Sequence, residues 1–325
     1  MMTGISFAAR TRMKTTRAGL VLPKPLQHRL EAAALELLQP KGQPRVDFAH
    51  PLGEPAQTPP DSVSWQVFKN PVAIFIGGMA AVILELAEPR VRTGVWEHSS
   101  FREHPMARLQ RTGLATMMTV YGPCSQTQRM IAAVVRMHRR VSGITPDGQA
   151  YCACDPELLD WVHATASFGF LEAYSAYVRP LGDDERNRFY AEGIPSARAY
   201  GATGAPRSQA ELVALFDSMR ERLEPSGIVA EFLQIMRDAP VLARPLRPVQ
   251  TLLIKAAVQI TPAWVRERLG LDRRWILRPW QRRLVRKIGE TADRLLLRSS
   301  PAVQSCRRLG LPDDFLYAPH RVQGF

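Results

Sequence analysis

The chain has 325 residues, and 46% of them are hydrophobic, which is enough for a sizeable core in one large domain or two ordinary ones. Its formal net charge of +13 is uneven, because residues 1–30 carry +6, residues 244–308 carry +12 and the remainder carries −5. Basic segments of this kind suit an anionic membrane surface, nucleic acid or an acidic partner, or they are simply solvated faces.

The cysteine content and the lengths of the apolar runs indicate in which cellular compartment the protein is located. The four cysteines, at positions 124, 152, 154 and 306, are too few and too scattered for a disulfide framework, and they favour a reducing compartment. The longest uncharged run, residues 70–84, is shorter than the roughly 20 residues of a membrane span. The N-terminus has no apolar segment like that of a signal peptide, although its acid-free composition resembles a transit peptide. We predict a cytoplasmic protein, with a membrane surface as one candidate contact.

The first 60 residues differ in composition from the rest. They hold eight prolines, which predicts a basic, Pro-rich arm and linker, largely disordered, with one short helix at 27–38. Residues 61–300 are predicted to form the folded domain, and residues 301–325 an irregular tail. Sustained alternation of apolar and polar residues is nearly absent, so the fold class is predicted to be all-α, with a single multi-helix domain.

Three segments follow the linker. Pro71–Leu86 is predicted to be a core helix, and its Gly77–Gly78 pair allows close approach of another backbone or of a flat ligand. Residues 94–101 are predicted to be a loop rich in polar and aromatic groups. Pro105 begins a helix that carries Arg108, Arg111 and Thr112 and ends at Gly122-Pro123.

The next two helices each place one histidine in an apolar stripe. The first is predicted to begin at Ser125 with a capping box to Gln128, and to end at Gly143. The second is predicted to begin with Asp155 as its N-cap and Pro156 in its first turn, after a turn at 146–148. Their stripes are Ile131, Val134, Val135, His138 and Val141 in the first helix, and Leu159, Val162, His163, Ala166 and Phe170 in the second.

Helices are also predicted at 183–200, 208–223, 226–238 and 245–260, and residues 264–298 are predicted to form an arginine-rich amphipathic helix. Tryptophan and leucine on one side with arginine on the other is typical of helices at a membrane surface. The alternative is that the apolar side packs on the domain and the arginines are solvated. We predict peripheral membrane-surface contact through 264–298 and no nucleic-acid partner.

Two histidines on adjacent buried helices allow three interpretations. Each can be a core histidine with a satisfied hydrogen bond. One can hold haem iron, since haem needs a proximal histidine, close apolar walls and nearby cations. Alternatively, His138, Cys152, Cys154 and His163 can bind zinc, although the C-x-C spacing is poorer than C-x-x-C.

Several motifs resemble one family. They are Arg136–Gly143, Pro146-Asp147-Gly148, Tyr151, Asp155-Pro156 and Trp161–Thr165, preceded by Gly94-Val95, His98–Phe101 and Arg108–Thr112. Together they resemble the MpaB-type haem oxygenases, which include the rubber oxygenases (latex clearing proteins) and the fungal endoplasmic-reticulum oxygenase that cleaves the side chain of a mycophenolic-acid precursor. The resemblance covers about residues 62–270. It implies an all-α domain that encloses a b-type haem between buried helices and cleaves a carbon–carbon double bond with dioxygen.

The resemblance also implies roles for residues. His138 is the expected proximal iron ligand and His163 the alternative, with Arg136, Gly77 and Gly78 at the cofactor. Arg108, Arg111, Thr112 and His163 are the expected catalytic residues. Arg111 stands where rubber oxygenases have a lysine that can ligate iron, and a guanidinium stays protonated and does not ligate.

The prediction is therefore a haem b oxygenase that cleaves or oxidises a C=C bond of an apolar, isoprenoid-like small molecule with dioxygen. The alternatives are a non-catalytic haem-binding protein or basic membrane-surface protein, and the zinc protein.

Overall fold

The structure is a computed structural model that describes residues 19–20, 22–38, 45–271 and 273–318. The described residues are mostly helical, as predicted, with fourteen α-helices and one two-stranded antiparallel sheet. The disorder predicted for residues 1–18 lies outside the described residues.

The elements are numbered in chain order. The helices are α1 Lys24–Leu38, α2 Val63–Phe68, α3 Pro71–Glu85, α4 Pro89–His98, α5 Pro105–Tyr121, α6 Cys124–His138, α7 Pro156–Tyr177, α8 Asp183–Tyr200, α9 Gln209–Met219, α10 Gly227–Asp238, α11 Arg247–Ile260, α12 Ala263–Arg268, α13 Pro279–Ala292 and α14 Pro301–Arg308. The strands are β1 Ser142–Ile144 and β2 Ala150–Cys152.

Helix α3 lies at the centre of the fold. It packs along α7 and also contacts α2, α11 and α13. The Asn70 side chain caps its first turn, accepting from the amides of Val72 and Ala73 at 3.0 Å, and donates to the carbonyl of Gly289 in α13 at 3.0 Å. A single buried amide therefore both begins the central helix and joins it to a helix more than 200 residues later.

Helix α7 begins as its sequence predicts. Asp155 is the N-cap and accepts from the amide of Glu157 at 3.0 Å, and Pro156 occupies the first helical position. Along its length the fully buried side chains are those one position beside the expected stripe, including Leu158, Trp161 and Thr165. Burial of most of the helix explains its near-continuous apolar sequence.

Two predicted boundaries of α6 are wrong. The helix begins at Cys124, and Ser125 makes no capping box, because its amide and hydroxyl both bind the Glu54 carboxylate, at 2.6 and 3.1 Å. The helix ends at His138, and Gly143 lies in β1 rather than at a helix stop. A Cβ on Gly143 would lie 2.6 Å from the Tyr151 hydroxyl, so the glycine makes room for that ring.

The predicted loop at 94–101 is also wrong in part, because α4 continues through His98. The Glu88 carboxylate caps α4 by accepting from the amide of Val91 at 2.7 Å, and Pro89 takes the first position. Within the described residues no single helix has the length and hydropathy of a membrane span. Helices α3 and α4 meet that criterion only as a pair, with a bend of 111° between them.

The predicted irregular tail from residue 301 is wrong for its first eight residues, which form α14 against α5. Arg308 is 1% exposed and donates to the carbonyls of Phe48, Tyr121 and Glu54 at 2.6, 2.7 and 2.8 Å. Because Phe48 and Tyr317 both belong to the main core, the folded body extends past both predicted bounds, 61 and 300.

The predicted helix at 264–298 is interrupted. Helix α12 ends at Arg268, Gly270 takes a φ of 65°, a 3₁₀ turn follows at Arg273–Trp275, and α13 begins at Pro279. A glycine in the left-handed region reverses the chain there. Five apolar side chains of the segment are buried in the domain, as the packing interpretation predicts: Val265, Leu269, Leu277, Val285 and Leu296.

Candidate functional site

Arg108 of α5 interacts electrostatically with one titratable side chain of α3 and with one of α6. Glu85 is the last residue of α3, Arg108 lies in the first turn of α5, and His138 is the last residue of α6. Burial raises the pKa of Glu85 to about 7, against the opposing charge of Arg108. Burial lowers the pKa of His138, and the Arg108 charge lowers it further. Arg108 therefore lies within electrostatic reach of both groups.

The imidazole of His138 has no hydrogen bond within the described chain. Its Nδ1 is buried without a partner, and no described residue bonds either ring nitrogen. A buried polar atom without a partner costs free energy, so such atoms are rare unless they serve a ligand. Because its pKa is lowered, the ring is neutral at physiological pH, and a neutral imidazole is the form that binds a metal.

His163 lies in a different environment. Its Nε2 is 3.3 Å from the hydroxyl of Ser167, one helical turn later. A Cβ on Gly193 of α8 would lie 3.3 Å from the same nitrogen, so the ring is enclosed between α7 and α8. Burial lowers its pKa to about 4. Within the described residues no hydrogen bond or ion pair joins it to His138 or Arg108.

The two adjacent glycines of α3 have different neighbours. A Cβ on Gly77 would lie 2.7 Å from Cα of Phe170 in α7, so this glycine serves helix packing. A Cβ on Gly78 would meet only the Phe170 ring, at 3.9 Å. Gly78 belongs to a partly exposed stripe of α3, whose last residue, Glu85, is within reach of the Arg108 charge. The stripe consists of Phe75, Gly78, Val82 and Glu85.

The remaining predicted site residues lie at the edge of this cluster or outside it. Arg108 donates to the hydroxyl of Thr112, which in turn donates to the Arg108 carbonyl at 3.0 Å. Arg111 is exposed and donates to the Ser100 hydroxyl at 3.0 Å. Arg136 is exposed and lies two residues before His138, on another side of α6.

The four helices around these residues pack as two pairs. Helices α5 and α6 pack on each other, and α3 packs along α7. In the described part of the chain, neither α5 nor α6 packs extensively on α3 or α7. An unpartnered neutral imidazole, an open glycine on an apolar stripe and arginines nearby are what a b-type haem requires, so the residues fit that group.

The zinc alternative is wrong. Cys152 and Cys154 are joined by a disulfide bond, which also differs from the expectation of reduced cysteines. Among the described residues no group of three or more His, Cys, Asp or Glu side chains is placed to hold a metal ion.

Sequence reasoning missed Glu85. The sequence does contain a signal for it, because Glu85 directly follows the longest uncharged run of the chain, residues 70–84. An acid at the end of a buried helix requires either a charged partner or a raised pKa.

Comparison with protein families gives one match. The family described as "ER-bound oxygenase mpaB/B'/Rubber oxygenase, catalytic domain" matches residues 65–293, more than two thirds of the chain. That range contains Glu85 and all the predicted site residues. No curated protein and no solved structure matches the chain.

Proposed function

The chain belongs to the family of mpaB/B' and rubber oxygenase catalytic domains, and from this premise we propose that it is a haem b-dependent oxygenase. Its proposed reaction is dioxygen-dependent cleavage or oxidation of a C=C bond in an apolar, isoprenoid-like small molecule. The family is one of oxygenase catalytic domains, which makes an oxidoreductase the expected enzyme class. The single observation that carries the proposal is the imidazole of His138, whose buried Nδ1 has no hydrogen bond and which lies within reach of the Arg108 charge.

We assign His138 as the axial ligand in preference to His163. An iron ligand must offer a free ring nitrogen on a neutral imidazole. Nε2 of His163 already faces Ser167 and Gly193, whereas neither ring nitrogen of His138 has a described partner. Gly78 and Arg108 would help to hold the group, the first by the space that its missing side chain leaves and the second by its positive charge. Bound haem would supply the iron centre at which dioxygen is activated.

Glu85 would hold and move a proton. With a pKa of about 7, its carboxyl group is partly protonated at neutral pH, which suits a general acid or base. Arg108 would orient that carboxyl group, because its own guanidinium is fixed by Thr112. The apolar stripe of α3 that ends at Glu85 would bind an uncharged hydrocarbon chain and exclude water from it.

A matched pair of hydrocarbons tests this function. The haem-loaded protein is given isoprenoid alkenes of increasing length up to squalene, with saturated squalane as the control, under ¹⁸O-labelled dioxygen. We expect oxygen consumption and labelled products with at least one alkene and none with squalane. The Glu85→Gln variant should retain haem and lose roughly 100-fold in rate, the lower end for general acid–base catalysis. Haem retention without oxygen consumption on any alkene would instead indicate a non-catalytic haem-binding protein.

A further inference from the structure

A surface cavity of about 460 Å³ is lined by residues of the C-terminal third of the chain, and neither His138 nor His163 lines it. It is formed by the end of α11, the residues before α13 and the first turns of α13. Its lining is largely cationic: Gln259, Leu277, Pro279, Arg282, Arg283 and Arg286. Three guanidinium groups around one cavity form an anion-binding arrangement, because each offers fixed N–H donors.

The arginines of this cavity are not neutralised by the protein. Arg282 and Arg283 are exposed, and neither side chain has a hydrogen bond or ion pair within the described chain. Arg286 is held in place, since its Nε and Nη2 donate to the carbonyl of Ala176 at 3.3 and 3.1 Å. Of the acids on α13, Asp293 is paired with Lys69 at 2.8 Å and Glu290 is exposed.

Two large apolar side chains are exposed next to Arg283, one of the cavity arginines. Trp280 is 56% exposed and Leu284 is 40% exposed, and they lie one turn apart on the same side of α13. Arg283 and Lys287 flank them on the exposed surface. Val285, on the same helix, packs in the core and is 0% exposed. Packing on the domain therefore does not account for Trp280 and Leu284.

We propose that α13 is a docking site for anionic phospholipid membranes. The cavity binds headgroup phosphates through Arg282, Arg283 and Arg286, while Trp280 and Leu284 enter the interfacial region. Tryptophan and leucine beside unpaired basic residues have the composition of helices that lie in that interface. A free phosphate ion would use the arginines alone, and it gives no reason for an exposed leucine and tryptophan. The proposal does not depend on the oxygenase reaction.

Co-sedimentation of the full chain with vesicles tests the proposal. Vesicles of phosphatidylcholine alone are compared with vesicles that also contain phosphatidylglycerol, at low and high salt. A basic residue near an anionic membrane contributes about 1 kcal/mol, roughly fivefold in Kd, so Arg282→Gln with Arg283→Gln should weaken binding roughly 30-fold. Trp280→Ser with Leu284→Ser should weaken binding to anionic vesicles even at high salt, where charge is screened.

The control removes the same charge elsewhere. Arg198 and Arg207 are exposed, and neither side chain makes an ion pair within the described chain. Arg198→Gln with Arg207→Gln should therefore retain most of the binding. An equal loss in this control would overturn the proposal, as would equal binding to both kinds of vesicle. Vesicle binding that is unchanged in Trp280→Ser with Leu284→Ser would also overturn the lipid assignment, because a site for free phosphate or for a nucleic acid would use the arginines alone.

Discussion

A Cβ atom on Gly77 would lie 2.8 Å from the carbonyl oxygen of Gly169, so α3 and α7 meet backbone to backbone. This contact fixes the distance between the central helix and the helix that carries His163. The neighbouring Gly78 is not in such close contact: a Cβ there would meet only the edge of the Phe170 ring, and Gly78 belongs to the partly exposed stripe that ends at Glu85.

The two glycines should respond differently to alanine. In Gly77→Ala the new methyl group meets backbone atoms that cannot move aside, and overpacking of this kind costs about 1–3 kcal/mol. In Gly78→Ala the methyl group meets one ring atom at 3.9 Å, so removing a helix glycine should stabilise the apoprotein by about 0.5–1 kcal/mol. Urea unfolding measures both. Equal effects would mean that α3 does not approach α7 through Gly77.

Glu85 and His163 should give opposite pH dependences of stability. The pKa of Glu85 is raised from 4.5 to about 7, so between these values the folded state keeps a proton that the unfolded state has lost, and stability falls as pH rises. The pKa of His163 is lowered from 6.5 to about 4, so below pH 6.5 the unfolded state gains a proton first, and stability falls as pH falls. Each contribution reaches about 3 kcal/mol, and the two largely cancel between pH 4.5 and 6.5.

Single variants should separate these contributions. Glu85→Gln should leave a protein whose unfolding free energy drops steeply below pH 6.5. The His163→Gln variant should have an unfolding free energy that falls as the pH rises from 4.5 to 7. Chemical unfolding of the apoprotein across this range checks both. Parallel pH profiles in the two variants would show that at least one of the carboxyl and imidazole groups is not buried as described.

Arg308 should be the most sensitive residue of α14. Arg308→Met leaves the buried carbonyls of Phe48, Tyr121 and Glu54 without their donor, and each such group costs about 1–3 kcal/mol. We expect a loss of several kcal/mol of unfolding free energy.

The adjacent residue supplies the control. Arg307 pairs on the surface with Asp313, so Arg307→Met should cost at most about 1 kcal/mol. Similar losses in both variants would contradict the buried role of Arg308.

Local sequence rules predicted most helices, because the features that start and stop them lie within a few residues. Asp155-Pro156 and Pro105 each begin a helix where the sequence indicated. The errors arose where a distant residue decides the local structure. Ser125 is capped by Glu54, 71 residues earlier, and Arg308 becomes part of the core through carbonyls more than 180 residues away. No window of sequence contains such partners.

The candidate site was predictable only in part for the same reason. The two histidines stood out because each lies in an apolar stripe, but their different surroundings depend on Arg108 for one and Gly193 for the other. Gly77 and Gly78 are adjacent in sequence, and only the position of α7 distinguishes them. Glu85 was overlooked because its importance comes from the burial of α3 next to another helix.

The absorption spectrum after reconstitution with haem tests the central assignment most directly. We expect near-stoichiometric haem and a Soret band in the unsubstituted protein and in His163→Ala. We expect loss of haem in His138→Ala, with recovery of the band when free imidazole is added in place of the missing ring. Haem retention by His138→Ala together with its loss from His163→Ala, or an unsubstituted protein that binds no haem at all, would contradict the assignment of His138.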